Sequence, residues 1–199
     1  AISLVLLLFI SACESYPLSR MKFRGNGLIY SIVVACMAIP VHITLIPVFR
    51  MSQTFHLYDT IWALIGPYVA MGVPISVFIL TSFMKNIPRE IEEAAEIDGC
   101  SKFKMFFKVM LPMAKPGLST LAIYNGVTMW NEYIFAYTLT QSAGSRTLPL
   151  AVWDFKGQYS MDIPMIMAVL TLTALPMIIL FIFAQDKLIK GMTAGAVKG

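Results

Sequence analysis

Charged residues are absent from long blocks of this chain and crowd into the segments between them. No Asp, Glu, Lys or Arg occurs over 25–49, 60–84 or 163–185, and over 116–145 the single such residue is Glu132. A membrane-spanning helix needs about 20 mostly apolar residues, so these blocks predict four full spans. A fifth apolar block, over 1–16, is short and begins without Met. It reads as the end of a span whose start is missing, which makes the sequence a fragment. Ile10-Ser11-Ala12-Cys13 also resembles a lipoprotein signal-peptide cleavage box. A signal peptide carries its basic region before the apolar stretch, however, and here Arg20, Lys22 and Arg24 follow it. Pro40, Pro47, Pro67, Pro74 and Pro176 fall inside the apolar blocks, where each removes a backbone donor and favours a kink.

The segment 85–116 is too polar to span and too patterned to be a linker. Pro88 suits the first position of a helix, and Glu90, Glu92 and Glu93 favour its first turn. Gly99 is placed to end it in the left-handed conformation. The pattern predicts a helix over about 88–98, with Ile91, Ala94 and Ala95 on one face. Ser101 is a good N-cap for a second helix. Its Phe103, Phe106, Phe107 and Met110 form a stripe at helical spacing that should pack on the protein's own bundle. Pro112 is expected to stop that helix, and Pro116 to mark re-entry into the membrane.

Composition agrees with a membrane protein. Of 199 residues, 58% are hydrophobic and 13% charged, against about 25% charged in soluble domains. Net charge is only +4, and the distribution of cations explains it without nucleic acid. With sides assigned alternately, Arg20, Lys22, Arg24, Lys85, Arg89, Lys102, Lys104, Lys108, Lys115, Lys187, Lys190 and Lys198 share one side; Arg50, Arg146 and Lys156 share the other. The positive-inside rule then makes the 85–116 loop and the 187–199 tail cytoplasmic. Cys13, Cys36 and Cys100 are odd in number and widely spaced, which excludes a disulfide framework and a metal-binding pair.

Resemblance adds a family. Glu93-Ala94-Ala95-Glu96-Ile97-Asp98-Gly99, running on to Leu111-Pro112 between two spans, resembles the EAA motif of the membrane subunits of bacterial ABC importers. Tyr16-Pro17-Leu18-Ser19-Arg20 with Phe23-Arg24-Gly25 is similar to the basic turn before that family's third span. Trp130-Asn131-Glu132-Tyr133 resembles the Trp-Asn motif of carbohydrate-type permeases. Gly195-Ala196-Val197-Lys198-Gly199 resembles the ending of their maltose-permease-like second subunit. One departure is Cys100, where the family usually has Ala.

The resemblance implies an all-α, polytopic bundle of the type I ABC importer transmembrane fold, with residues 1–199 forming one permease domain that lacks its first span. It also implies a multi-pass protein of the bacterial cytoplasmic membrane that imports a sugar or sugar derivative by alternating access. Glu93, Ala94, Ala95, Asp98, Gly99, Leu111 and Pro112 would couple it to a separate ATPase. Its partners would be membrane lipid, a homologous second permease subunit, two ATP-binding cassette subunits and an extracytoplasmic substrate-binding protein, with no cofactor or metal of its own. A permease for glycerol phosphate or a polyamine, and an ion-coupled secondary carrier, are the alternatives.

Glu132 has two readings, since charge inside a bilayer costs several kcal/mol. With Asn131 it would line the translocation path and bond sugar hydroxyls; otherwise it caps a neighbouring helix or pairs with Arg146. Trp130 and Tyr133 either stack on a sugar ring or sit in an interfacial aromatic belt. The sequence has no G-x-x-x-x-G-K-[ST] phosphate loop and no H-E-x-x-H. His42 and His56 are too far apart to suggest a metal or catalytic pair, so the chain reads as a translocation subunit and not an enzyme.

Overall fold

The apolar blocks become helices, but two of them do not stay straight. The computed structural model describes residues 1–155 and 162–196, with the side chains of the last helix described as far as residue 185. Lys156, the ending Val197-Lys198-Gly199, and the side chains of Lys187 and Lys190 lie outside the described residues. Among the described residues there is no strand.

Helix α1 (Ile2–Arg20) is a continuous apolar helix with Arg20 in its last turn. Block 25–49, expected as one span, is a broken one. Helix α2 (Asn26–Ala35) gives way to 3-10 turns at Cys36–Ala38 and Val41–Thr44 before α3 (Leu45–Thr54), and the two halves meet at 89°. Pro40 lies at the break in extended conformation, with no N–H to continue a helical ladder. Pro47 falls in the first turn of α3, where a missing donor is tolerated. Helix α4 (Ile65–Lys85) contains Pro74, and a preceding 3-10 turn makes a 25-residue span, Ile61–Lys85.

The polar segment forms α5 (Arg89–Ile97) and α6 (Lys102–Met105), then a π turn over Phe106–Met110, then α7 (Leu111–Met113). Helix α8 (Lys115–Asn131) follows after a single turn residue, Ala114. Pro112 therefore does not stop the second helix; it sits in the opening turn of α7, directly after the π turn. The fourth block is also divided. The backbone turns extended at Glu132, and α9 (Ile134–Leu139) completes it. A 3-10 segment, Leu148–Phe155, leads to α10 (Ile163–Ala196), which holds Pro176. Among the described residues three helices are long and apolar enough to cross a membrane, or four if the bent pair is one span.

Helix α1 lies along α4, and α8 closes the trio. Gly72 makes this close approach possible: a Cβ there would sit 2.5 Å from Leu7 Cδ2 and 2.7 Å from Asn125 Oδ1. Around it runs a buried polar seam. Asn125 Nδ2 donates to Ser76 Oγ at 3.0 Å and to the Leu121 carbonyl at 2.9 Å; Ser11 and Ser15 face the same seam, fully buried. In a bilayer such hydrogen bonds and small residues hold helices together, because lipid gives apolar side chains no reason to leave it.

Apolar clusters occupy the two ends. At the basic end Ala12, Tyr16, Leu80, Met84, Ile87, Met105, Phe106, Met110 and Leu121 pack together. At the opposite end Leu64, Tyr68, Phe135, Ala136, Leu139 and Leu150 do so.

Candidate functional site

Helix α5 starts after Pro88, which occupies the N-cap and not the first helical position, with Glu90 and Glu92 in the first turn. Its far end is a Schellman motif. The Cys100 N–H donates to the Ala95 carbonyl at 2.9 Å and the Gly99 N–H to Glu96 at 3.0 Å, with Gly99 at φ +75°. The left-handed glycine expected from the sequence is therefore present, and it reverses the chain towards Ser101. Ser101 accepts from the Lys104 N–H at 3.4 Å and begins α6. Lys102 and Glu96 form an exposed ion pair across this turn.

The small face splits. Ile91 and Ala95 turn inward onto the basic-end cluster, while Ala94 is exposed together with Glu90, Glu93, Asp98 and Gly99. Ile97 is 87% exposed and Phe103 75%. The stripe expected to anchor the second helix is thus partly wrong: Met105, Phe106 and Met110 are buried, whereas Phe103 and Phe107 stay exposed with ring centroids 4.8 Å apart. The π turn is the reason. Its wider turn puts residues five apart on one side, which brings Met105 and Met110 inward together. Leu111 packs against the cluster and Pro112 is exposed. The polar segment thus presents Glu93, Ala94, Ile97 and Phe103 outward on a firmly seated base.

Arg20, read in the sequence as an orientation cation and as part of a basic turn, underlies that base. Its side chain is 4% exposed; its guanidinium donates to the carbonyls of Met84 and Ile87 and pairs with Glu92 at 3.0 Å. Tyr16, one turn earlier, packs its ring at a tilt on Phe106 with centroids 5.3 Å apart.

At the other end, Trp130, Asn131, Glu132 and Tyr133 do not converge. The Trp130 indole N–H donates to the Thr173 carbonyl of α10 at 3.2 Å. Asn131 bonds back to its own helix at the Val127 carbonyl. Tyr133 stacks on Tyr137, which meets Trp153 at a tilt, and the Trp153 indole N–H donates to the Tyr133 hydroxyl. Glu132 is a cap. Its carboxylate accepts the N–H groups of Phe135 at 2.8 Å and Ala136 at 3.1 Å, and the Tyr68 hydroxyl at 3.1 Å. Arg146 pairs instead with Asp154, at 2.5 Å.

Glu132→Ala should therefore fray α9 at a cost of about 1 kcal/mol, as for other lost N-terminal caps. Faster hydrogen exchange at Phe135 and Ala136, with α8 unchanged, is the result to look for.

Several clefts accompany these elements. One of about 440 Å³ lies in the angle of the broken span, lined by Cys36, Met37, Val41, Pro74 and Tyr124 among others. Another of about 480 Å³ opens beside Tyr58, Tyr137, Gln141, Arg146 and Trp153.

Asp59, at φ +58°, joins the loop before α4 to the loop after α9. Its Oδ1 accepts from Ser145 Oγ at 2.5 Å and from the N–H groups of Ser142 at 2.8 Å and Gln141 at 2.6 Å. The Ser145 hydroxyl, followed by these two N–H groups, holds the Asp59 carboxyl well below the usual aspartate range. A depressed carboxylate contributes its stabilisation above the ordinary value and loses it as pH falls towards the lowered one. The clasp should therefore be intact at neutral pH and open only in strong acid. Asp59→Asn should speed exchange at Gln141 and Ser142 wherever the original clasp is closed, and remove that acid dependence.

The model for the binding-protein-dependent transport system inner membrane component matches residues 6–194 of this chain. An ABC transporter permease protein of Caldicellulosiruptor sp. (strain Rt8B.4) is 56% identical over 199 residues, which are 100% of this chain and 72% of that protein. The sulfoquinovosyl glycerol transport system permease protein of Agrobacterium fabrum is 33% identical, over 100% of this chain and 70% of its own length. A chain of the crystal structure of a bacterial ABC transporter importing the acidic polysaccharide alginate aligns with a TM-score of 0.73 at 19% identity, over 93% of this chain and 72% of that one.

Proposed function

The chain belongs to the family of binding-protein-dependent transport system inner membrane components, a multi-pass permease subunit of an ABC transporter, and from that premise we propose that it moves a sugar or sugar derivative inward. The Agrobacterium relative, named for a sulfoquinovosyl glycerol system, supports that substrate class, as does the Trp130-Asn131 pair. ATP hydrolysis belongs to a separate subunit that grips the 85–116 loop from the cytoplasm. A homologous second permease completes the path, and an extracytoplasmic binding protein delivers the solute. The alternating distribution of cations supports a cytoplasmic loop and C-terminus.

The observation that carries this reading is the architecture of that loop. A short helix with a Schellman end holds Glu93, Ala94, Ile97 and Phe103 outward, while Met105, Phe106 and Met110 fix it to the bundle from beneath. When the ATPase closes, a helix so fixed moves as part of the bundle, not as a loose tether. The broken span of α2 and α3 supplies a place for the bundle to bend, and its cleft opens and closes as it does. Leu111 continues the anchor and Pro112 stays at the surface. Trp130 and Glu132 brace the far end of the path, with Asn131 and Tyr133 exposed beside it.

Cysteine at Ala94 or Ile97, in membranes carrying the whole transporter, should cross-link to a nucleotide hydrolase and resist impermeant reagents added from outside. Cross-linking to no hydrolase, or ready modification from outside, would overturn the reading.

A further inference from the structure

Helix α5 has covalent neighbours, α4 before it and α6 after it, yet its buried ion pair runs elsewhere. Arg20 ends α1, which is distant in sequence from α5. Its guanidinium is nearly sealed from solvent and makes three contacts: the Met84 carbonyl, the Ile87 carbonyl and the Glu92 carboxylate. Met84 and Ile87 are the last turn of α4 and the linker into α5; both are buried. A guanidinium presents several donors in a fixed planar fork, so this one side chain fixes the ends of three helices relative to one another. Tyr16 on Phe106 adds an apolar contact from α1 to the following helix.

We infer that Arg20 is a positioning residue that locks the coupling helix α5 to α1, so that the force on α5 enters the bundle through α1 as well as through the loop's own chain connections. The inference rests on the coupling role proposed above. Once Arg20 is gone, Glu92 keeps a largely buried carboxylate whose nearby cation is Lys102, already paired with Glu96, and the Met84 and Ile87 carbonyls lose their donor. Helix α5 then swings on its two chain ends, and α1 no longer follows it. Arg20→Lys keeps the charge but reaches fewer partners, since an ammonium has no planar fork. Glu92→Gln frees α5 from α1 but leaves the Arg20 bonds to Met84 and Ile87 in place.

The test uses the complete transporter in lipid nanodiscs. Spin labels at Cys13 and at Glu90→Cys, with Cys36 and Cys100 replaced by Ser, read the α1–α5 distance. The original protein should give one narrow distribution. Arg20→Gln and Glu92→Gln should both broaden it at least twofold, and combining them should add little. In a second set retaining only Cys36, which lies at the broken span's cleft, ATP with vanadate should change its labelling rate by an impermeant maleimide. Arg20→Gln should reduce that nucleotide dependence at least fivefold while the ATPase still co-purifies, and Arg20→Lys should restore part of it. A narrow distance in Arg20→Gln, or undiminished nucleotide dependence, overturns the inference. If the original transporter shows no bound ATPase and no nucleotide dependence, the coupling role itself fails, while the spin labels still decide whether Arg20 holds α5 to α1. Should Arg20→Gln fail to assemble, Glu92→Gln gives the same decision on its own.

Discussion

Gly72→Leu should prevent the bundle from assembling stably, and even Gly72→Ala should lower its stability by about 1–3 kcal/mol, the usual cost of overpacking. The first added carbon would lie 2.5 Å from Leu7 Cδ2 and 2.7 Å from Asn125 Oδ1. Both are side-chain ends, but neither is loose. Leu7 is wholly buried, and the Asn125 amide is held by Ser76 and by the Leu121 carbonyl. Yielding to the new methyl means moving α1 away from α4 or breaking those bonds in a setting without water to replace them. The melting temperature of the detergent-solubilised protein checks the alanine variant, and the monodisperse fraction on size exclusion checks the leucine one. Asn125→Ala should relieve part of the damage in Gly72→Ala, because it removes one of the two obstacles. Additive losses would contradict this account.

Gly99→Val fails for the opposite reason. A Cβ at Gly99 meets nothing within 4 Å, but the residue sits at φ +75°. For a chiral residue that conformation costs about 1–2 kcal/mol, and a β-branched one suits it least. The strain falls on the Schellman bonds to Ala95 and Glu96 that terminate α5. The expected order of harm is therefore Asn below Ala below Val, following tolerance of the left-handed region and not size. Gly99→Val should uncouple the transporter, with at least a tenfold fall in uptake per ATP hydrolysed. Uptake of the solute retained by the cognate binding protein, beside hydrolysis by the same proteoliposomes, is the measurement. Equal behaviour of the Asn and Val variants would show that backbone geometry is not what matters at this turn.

The sequence disclosed these features unequally, for physical reasons. Gly99, Ser101 and the helix 89–97 were legible because caps and left-handed turns are chosen within five or six residues. The apolar blocks were legible as membrane segments because length and lack of charge suffice for that. Whether a block stays straight was not. Pro40 breaks its helix through a right angle while Pro74 continues inside one, and only the neighbours that receive the freed backbone groups separate the two. The stripe from Phe103 to Met110 was misjudged because a regular helical period was assumed where the chain makes a π turn. Arg20 and Asp59 were missed as anchors, since their partners lie 64 and more residues away. Their signal was faint: a charge at the lip of an apolar block, where orientation alone would account for it. Glu132 was placed correctly in one of its two readings, as a cap, but on the next helix of its own block and without Arg146.

The right-angle elbow between α2 and α3 has a bearing on surroundings. Hydrocarbon offers no partner to peptide groups that leave a helical ladder, and the short turns around Pro40 interrupt that ladder twice. Water is a poor alternative, since Met37, Ile39, Ile43 and Ile46 are all about half exposed or more on the same stretch. A surface unsuited to oil by its backbone and to water by its side chains is at rest only against another polypeptide. Lipid molecules ringing the transporter should accordingly be scarce along this flank and plentiful along α10, whose apolar side chains hang outward on an unbroken rod.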